Sequence, residues 1–152
     1  PQFQSLTSMQ GLAERAAQEV TGDAHARHHF RLAMLPFNQV MLEGFTRFNT
    51  ATGKGNIASA LQAAHQLEVY MMASHTLLKG HLGQQSVDIV AERLADLPNA
   101  ARRALQFNRS TPGLGTSLVG ISRLEHLDDL LAVAALPLLE RQAYLGMYQK
   151  AE

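Results

Sequence analysis

The chain has seven histidines and no cysteine, so any side-chain metal or nucleophile chemistry falls to imidazole, carboxylate and hydroxyl groups. His25, His28 and His29 form an HxxHH cluster whose ring nitrogens are of a type that holds a metal. No helical i, i+4 pair and no nearby glutamate completes a zincin-like set, and the cluster reads as a solvated turn. His75 and His81 follow a strand-like stretch, in a loop where an imidazole can meet an anion or a cofactor. Gly53-Lys54-Gly55 lacks the spacing of a phosphate-cradling P-loop. Asp128 and Asp129 are neighbours on a helical stretch and diverge rather than share a proton. Ser74, Ser110 and Ser122 have no accompanying histidine-plus-acid pattern that would make one of them a nucleophile. Met34, Met41, Met71 and Met72 read as core filling. These patterns assign no catalytic residue and no metal ligand.

The elements that would position such groups can be read from periodicity. Ser5–Val20 has Leu6, Met9, Leu12, Ala13, Ala16 and Ala17 spaced for one face of a helix, closed by Thr21-Gly22-Asp23. His29–Leu35 is a short apolar run before Pro36 and suits a buried parallel strand. A long connection over 36–56 leads to a predicted helix, Ile57–Leu67, and a second predicted strand, Glu68–Ala73. Ser86–Leu97 and Asn99–Arg109 read as helices. After the turn Thr111–Gly115, Thr116–Val119 is the third strand, and a helix runs from Leu124 to about Ala135. Pro137 opens a last predicted helix, Leu138–Lys150, which looks like an appendage. Strands alternating with helices predict parallel pairing through crossover helices: one α/β domain of three βα units.

Composition narrows the function class. Hydrophobic residues make up 46% and charged residues 17% of 152, the balance of one globular domain with a real core. The longest charge-free apolar run, roughly Leu130–Leu139, is well short of the ~20 residues that span a bilayer, so no membrane role is expected. Thirteen basic and thirteen acidic residues cancel, which gives no basic surplus for nucleic acid. Pro1–Thr7 has neither the basic nor the apolar segment of a secretion signal. With the lack of cysteine, this suggests the cytoplasm. A start at Pro1 rather than methionine points to processing or to a piece of something longer.

Three stretches resemble the aldo/keto reductases, in that family's own order. His29–Asn38 (HFRLAMLPFN) is similar to the sixth barrel strand and its "QxPxN" exit. Leu67–Leu82 (LEVYMMASHTLLKGHL) is similar to the seventh strand and the "AYSPLxxGxL" loop after it. Ala104–Val133, with STPGLGTSLVGISRLEHLDDLLAV, resembles the eighth strand and the "PGxxxxLVGxxRxEHVEENLA" cofactor loop. The likeness implies the C-terminal part of a (β/α)8 barrel over residues 1–135, with a helical appendage over 136–152.

It also implies an NADP(H) site at the C-terminal ends of the strands. Leu77 and Gly80 match the pyrophosphate loop. Gly120, Ser122 and Arg123 match the start of the adenosine-phosphate loop, His126 stands where relatives carry a polar residue facing that phosphate, and Asp129 replaces a glutamate. In such a loop Gly120 admits the phosphate, the helix starting near Leu124 aims free N–H groups at it, and Arg123 grips a 2′-phosphate. The family's Asp-Tyr-Lys-His catalytic set belongs to the first half of the barrel, so no residue here is assigned to it. Three further positions depart from the pattern: Met34 replaces a glutamine that holds the nicotinamide amide, Ser74 a stacking tyrosine, and Leu130 an asparagine at the adenine. Losing the amide contact and the ring stack costs about 1–3 kcal/mol each, so the cofactor would be held weakly or not at all.

Two functions follow as expectations. One is a truncated or degenerate reductase half that carries the cofactor site and is inactive alone. The other is a non-catalytic binding or interaction protein on the same scaffold. Under either, three strands leave open edges and an uncovered face, which predicts a homo-oligomer or a complementary half-barrel, with Leu138, Leu139, Leu145, Met147 and Tyr148 as a lid or dimer surface.

Overall fold

A computed structural model describes residues 5–52 and 55–148. Helix α1 (Leu6–Thr21) starts where the Ser5 side chain accepts the Ser8 N–H, and stops at Gly22, whose left-handed backbone (φ 69°) returns an N–H to Gln18. Strand β1 (Leu32–Pro36) follows, later and shorter than the apolar run suggested. The predicted long connection contains structure: a turn of helix, α2 (Glu43–Thr46), and an antiparallel pair, β2 (Thr50–Ala51) with β3 (Ile57–Ala58). The Gly53-Lys54 pair between them lies outside the described residues.

Helix α3 (Ala60–Gln66) therefore begins three residues later than the periodicity indicates. Ser59 and Gln62 form a reciprocal capping box there, and Ile57 is left on the exposed pair. Central strand β4 (Tyr70–Ser74) leads into a 3-10 turn (Leu78–Gly80) and the one-turn α4 (His81–Gln84). Then come α5 (Asp88–Arg93), shorter than predicted, and α6 (Ala100–Arg109), whose Asn99 cap accepts the Arg102 N–H at 2.8 Å. Strand β5 (Thr116–Ser117), α7 (Leu124–Ala134) and α8 (Arg141–Gly146) complete the order.

The sheet is parallel, in the order β1-β4-β5, with Leu32 opposite Tyr70, Pro36 opposite Ser74, and Met72 opposite Thr116. Alternation along the strands sorts side chains by face. Ala33, Leu35, Met71 and Ala73 point to the helices, and both halves of the core meet there. One half gathers Leu6, Leu61, Ala63, Ala64 and Val69 around Met71. The other gathers Phe37, Val90, Leu94, Phe107, Tyr144 and Met147 around Ala73. The opposite face carries Leu32, Met34, Tyr70 and Met72 and has no such cover among the described residues; Met34 is 52% exposed. Met34 is therefore not the core filler its type suggests, because its register turns it away from the helices.

The end of the chain also departs from expectation. Residues 137–140 are not helical, and α8 is neither an appendage nor a lid over the open face. Tyr144 is fully buried, packs edge-on to Phe45 and tilted on Phe107, and shares a hydrogen bond with Thr111 at 2.7 Å. The segment seals the helix-covered side. The Gln149 and Lys150 positions of the predicted helix fall outside the described residues. No helix among the described residues is long and apolar enough to cross a membrane.

Candidate functional site

A cleft of about 850 Å³ opens at the C-terminal ends of β4 and β5. Parallel pairing puts these ends side by side, and the chain leaves each in a loop: 75–80 after β4 and 118–123 after β5. All seven residues expected at a cofactor site, Leu77, Gly80, Gly120, Ser122, Arg123, His126 and Asp129, line this one cleft. So do Ser74 and Leu130, two of the three positions that depart from the resemblance. Met34, the third, is not on its wall.

Each wall has a local cause. The 75–80 loop is tightly coiled, with left-handed backbone at His75 (φ 57°), Leu78 (φ 46°), Lys79 (φ 56°) and Gly80 (φ 95°). Only the last is a glycine, so the other three are strained. Asn38, buried at the exit of β1, holds the loop by donating its amide to the His75 carbonyl at 2.8 Å. On the other wall, Gly120 has an ordinary φ, and a Cβ there would touch nothing. Internal packing does not demand glycine at 120, and the space beside it belongs to the cleft.

Helix α7 begins at the cleft with Arg123 as its N-cap and no side chain bonding its first amides. Those N–H groups and the helix dipole make the mouth electropositive. Exposed Arg123 and Lys79 add two cations, neither in an ion pair among the described residues. Thr76, only 1% exposed, also lines the cleft, and its hydroxyl has no hydrogen-bond partner. Lys79 and Thr76 were missed by sequence reading. The signal for Lys79 is its place directly before Gly80, whereas Thr76 carries none.

Asp129 has a different job from the ligand contact expected of it. Its carboxylate accepts from Arg102 Nε at 2.7 Å and from Asn99 at 3.1 Å, pinning α7 to α6. Burial pushes its pKa up, but the bonds from Arg102 and Asn99 and the charges of Arg102 and His126 outweigh it, leaving it below the ordinary 3.8. The carboxylate is thus spent on neutralising Arg102; Arg123 and Lys79 are left without an ion pair among the described residues, with Glu125 as the acidic residue of the first turn of α7.

No family model matches the chain, and no curated protein matches it significantly.

Chemically, the cleft suits an anion at the α7 end. Its β4 end holds Ser74, whose hydroxyl lies 3.2 Å from His75 Nδ1, and Leu130 supplies only apolar surface. A phosphate group fits the donors present. A nicotinamide amide finds no bidentate partner at Met34, and no aromatic ring stands at Ser74 to stack on it. Of the other histidines, His81 heads α4 and does not line the cleft. His28 Nδ1 accepts the Phe30 N–H, and its other nitrogen is 3.8 Å from Glu14. No group of three metal-ligating side chains occurs among the described residues.

Proposed function

We propose that this chain is a half-barrel of aldo/keto-reductase type whose cleft binds the phosphate-bearing end of a nucleotide, NADP(H) by resemblance. It does not turn over a substrate alone. The convergence of Leu77, Gly80, Gly120, Ser122, Arg123 and His126 on a single cleft at the strand ends carries this reading. These residues come from two stretches about forty positions apart, the loop after β4 and the loop with the first turn of α7 after β5, and the resemblance expects all of them at one site. When bound, the cofactor would supply the hydride; this chain's part is to hold its phosphates through Arg123, Lys79 and the α7 amides. The acid set would come from a complementary half. A cytoplasmic location belongs with the same reading.

Titration with NADPH, NADP+ and 2′,5′-ADP at low salt tests it, by calorimetry and nucleotide fluorescence. Micromolar binding that Arg123→Ala weakens at least tenfold is expected. No heat and no fluorescence change at millimolar nucleotide would remove the reading.

A second reading, a non-catalytic interaction protein, is favoured by one specific observation. Leu32, Met34 and Tyr70 stand about half exposed on one uncovered sheet face, and Leu124, Leu127 and Leu131 form an exposed stripe on α7. The α7 stripe calls for a second copy or a complementary half-barrel under either reading. Light scattering after size exclusion decides: a single monomeric species at micromolar concentration counts against assembly.

A further inference from the structure

We infer that the ligand of this cleft is an anionic amphiphile: a phosphate head at the α7 end, continued by an apolar tail that lies on the uncovered face of the sheet. The inference rests on the phosphate-binding part of the reading above and gives that phosphate an alkyl tail in place of a nucleoside at the same site. Its basis is continuity. Ser74 and Leu118 line the cleft and also stand at the upper edge of the open face, since Ser74 ends β4 and Leu118 donates its N–H to Ala73 just beyond β5. From Leu118 the face runs over Met72 to Met34 with no charged side chain, and Leu118 and Met34 are 42% and 52% exposed. Crossing from β5 to β1 spans two inter-strand gaps, about 10 Å, the reach of a medium alkyl chain. Charge is confined to the other end, where Arg123 and Lys79 have no acidic partner among the described residues and the Thr76 hydroxyl is unpartnered. A polar nicotinamide on this floor would find methionine and leucine. A hydrocarbon would remove the same surface from water.

The test is affinity against tail length. The chain is titrated with inorganic phosphate and with ethyl, butyl and octyl phosphate, each below its micellar concentration, and with 2′,5′-ADP and octyltrimethylammonium. Affinity is expected to rise about two- to fourfold per methylene from ethyl to octyl phosphate. Arg123→Ala should weaken all the alkyl phosphates, while Met34→Gln and Leu118→Asn, both at exposed positions, should weaken octyl but not ethyl phosphate. Equal affinity for ethyl and octyl phosphate overturns the inference and, if 2′,5′-ADP still binds, leaves the nucleotide reading standing. A chain-length series that depends on Arg123 while 2′,5′-ADP fails supports the amphiphile and removes the nucleotide. Equal binding of octyltrimethylammonium shows indiscriminate adsorption and overturns it. Co-sedimentation with phosphatidic acid vesicles without binding of monomeric octyl phosphate also overturns it, since the ligand assigned is a free molecule and not a bilayer.

Discussion

The Asn38 side chain spans two loops: its amide donates to the His75 carbonyl at 2.8 Å, while its oxygen accepts the N–H groups of Val40 and Met41 at 2.9 Å each. The strained turn at His75 is thereby fastened to the exit of β1, and one wall of the cleft depends on a residue that does not line it. Asn38→Ala should lower unfolding stability by about 3 kcal/mol, since a buried group left unpaired costs about 1–3 kcal/mol. Urea denaturation measures the loss. Hydrogen exchange should quicken in residues 75–80 more than in α1, and a uniform increase would show that Asn38 supports the fold without positioning the loop.

The Arg102–Asp129 pair gives the structure a definite response to acid. Its carboxylate is held below the ordinary 3.8 in the folded chain, so the unfolded chain binds the proton more readily. The contribution is therefore present above about pH 4 and disappears as pH falls through the folded value. Asp129→Asn should be less stable at pH 7, by about 1 kcal/mol for a partly exposed pair. The variant and the parent protein should converge in urea midpoint as pH falls below about 4. A constant difference across that range would place the effect of the substitution in packing rather than in charge.

Much of the sheet was legible. The three parallel strands follow from runs such as HFRLAML and EVYMMA between helical periods, and each appeared within three residues of its expected start. The helix ends were readable where a capping side chain marks them, as at Ser5 and Asn99. What failed has physical reasons. Ile57 has the spacing of a helix face, but Ser59 caps α3 behind it and the preceding residues pair with Thr50 and Ala51. Met34 and Met71 look alike in sequence and differ only in strand register. The role of Tyr144 depends on contacts with Phe45 and Thr111, 99 and 33 positions away, which no local pattern encodes. Within the cleft, the residues that the resemblance expects at a cofactor site lie on the walls. The resemblance could not foresee that Arg102 occupies Asp129, because that pairing joins two helices.

Gly115 and Tyr70 are coupled on the open side of the sheet. A Cβ at 115 would overlap the Tyr70 ring at its Cζ and Cε2, so the ring lies over the glycine. Tyr70 is 48% exposed and free to swing away. Gly115→Ala should therefore cost only about 1 kcal/mol, and that cost should vanish when Tyr70→Ala is present. A double-mutant cycle by thermal or urea unfolding measures the coupling. Equal costs in both backgrounds would mean that residue 115 matters through its backbone instead.

At the opposite side of the sheet, Tyr144 and Tyr148 share a hydrogen bond at 2.8 Å. Burial pushes Tyr148 up to about 12, and burial together with the neighbouring Tyr148 pushes Tyr144 well above its usual range. The folded chain thus keeps protons that the unfolded chain releases near pH 10. Stability from this pair is complete below pH 10 and is lost as pH rises toward the folded values. Alkaline unfolding should set in above pH 10, with both phenols ionising only as the core opens. In Tyr144→Phe the hydroxyl bonds are absent, neutral-pH stability should fall by about 1 kcal/mol, and the alkaline slope should be reduced by up to one proton. Absorbance of phenolate followed beside circular dichroism gives the answer: ionisation of all three tyrosines before any loss of structure would show that α8 does not seal the core.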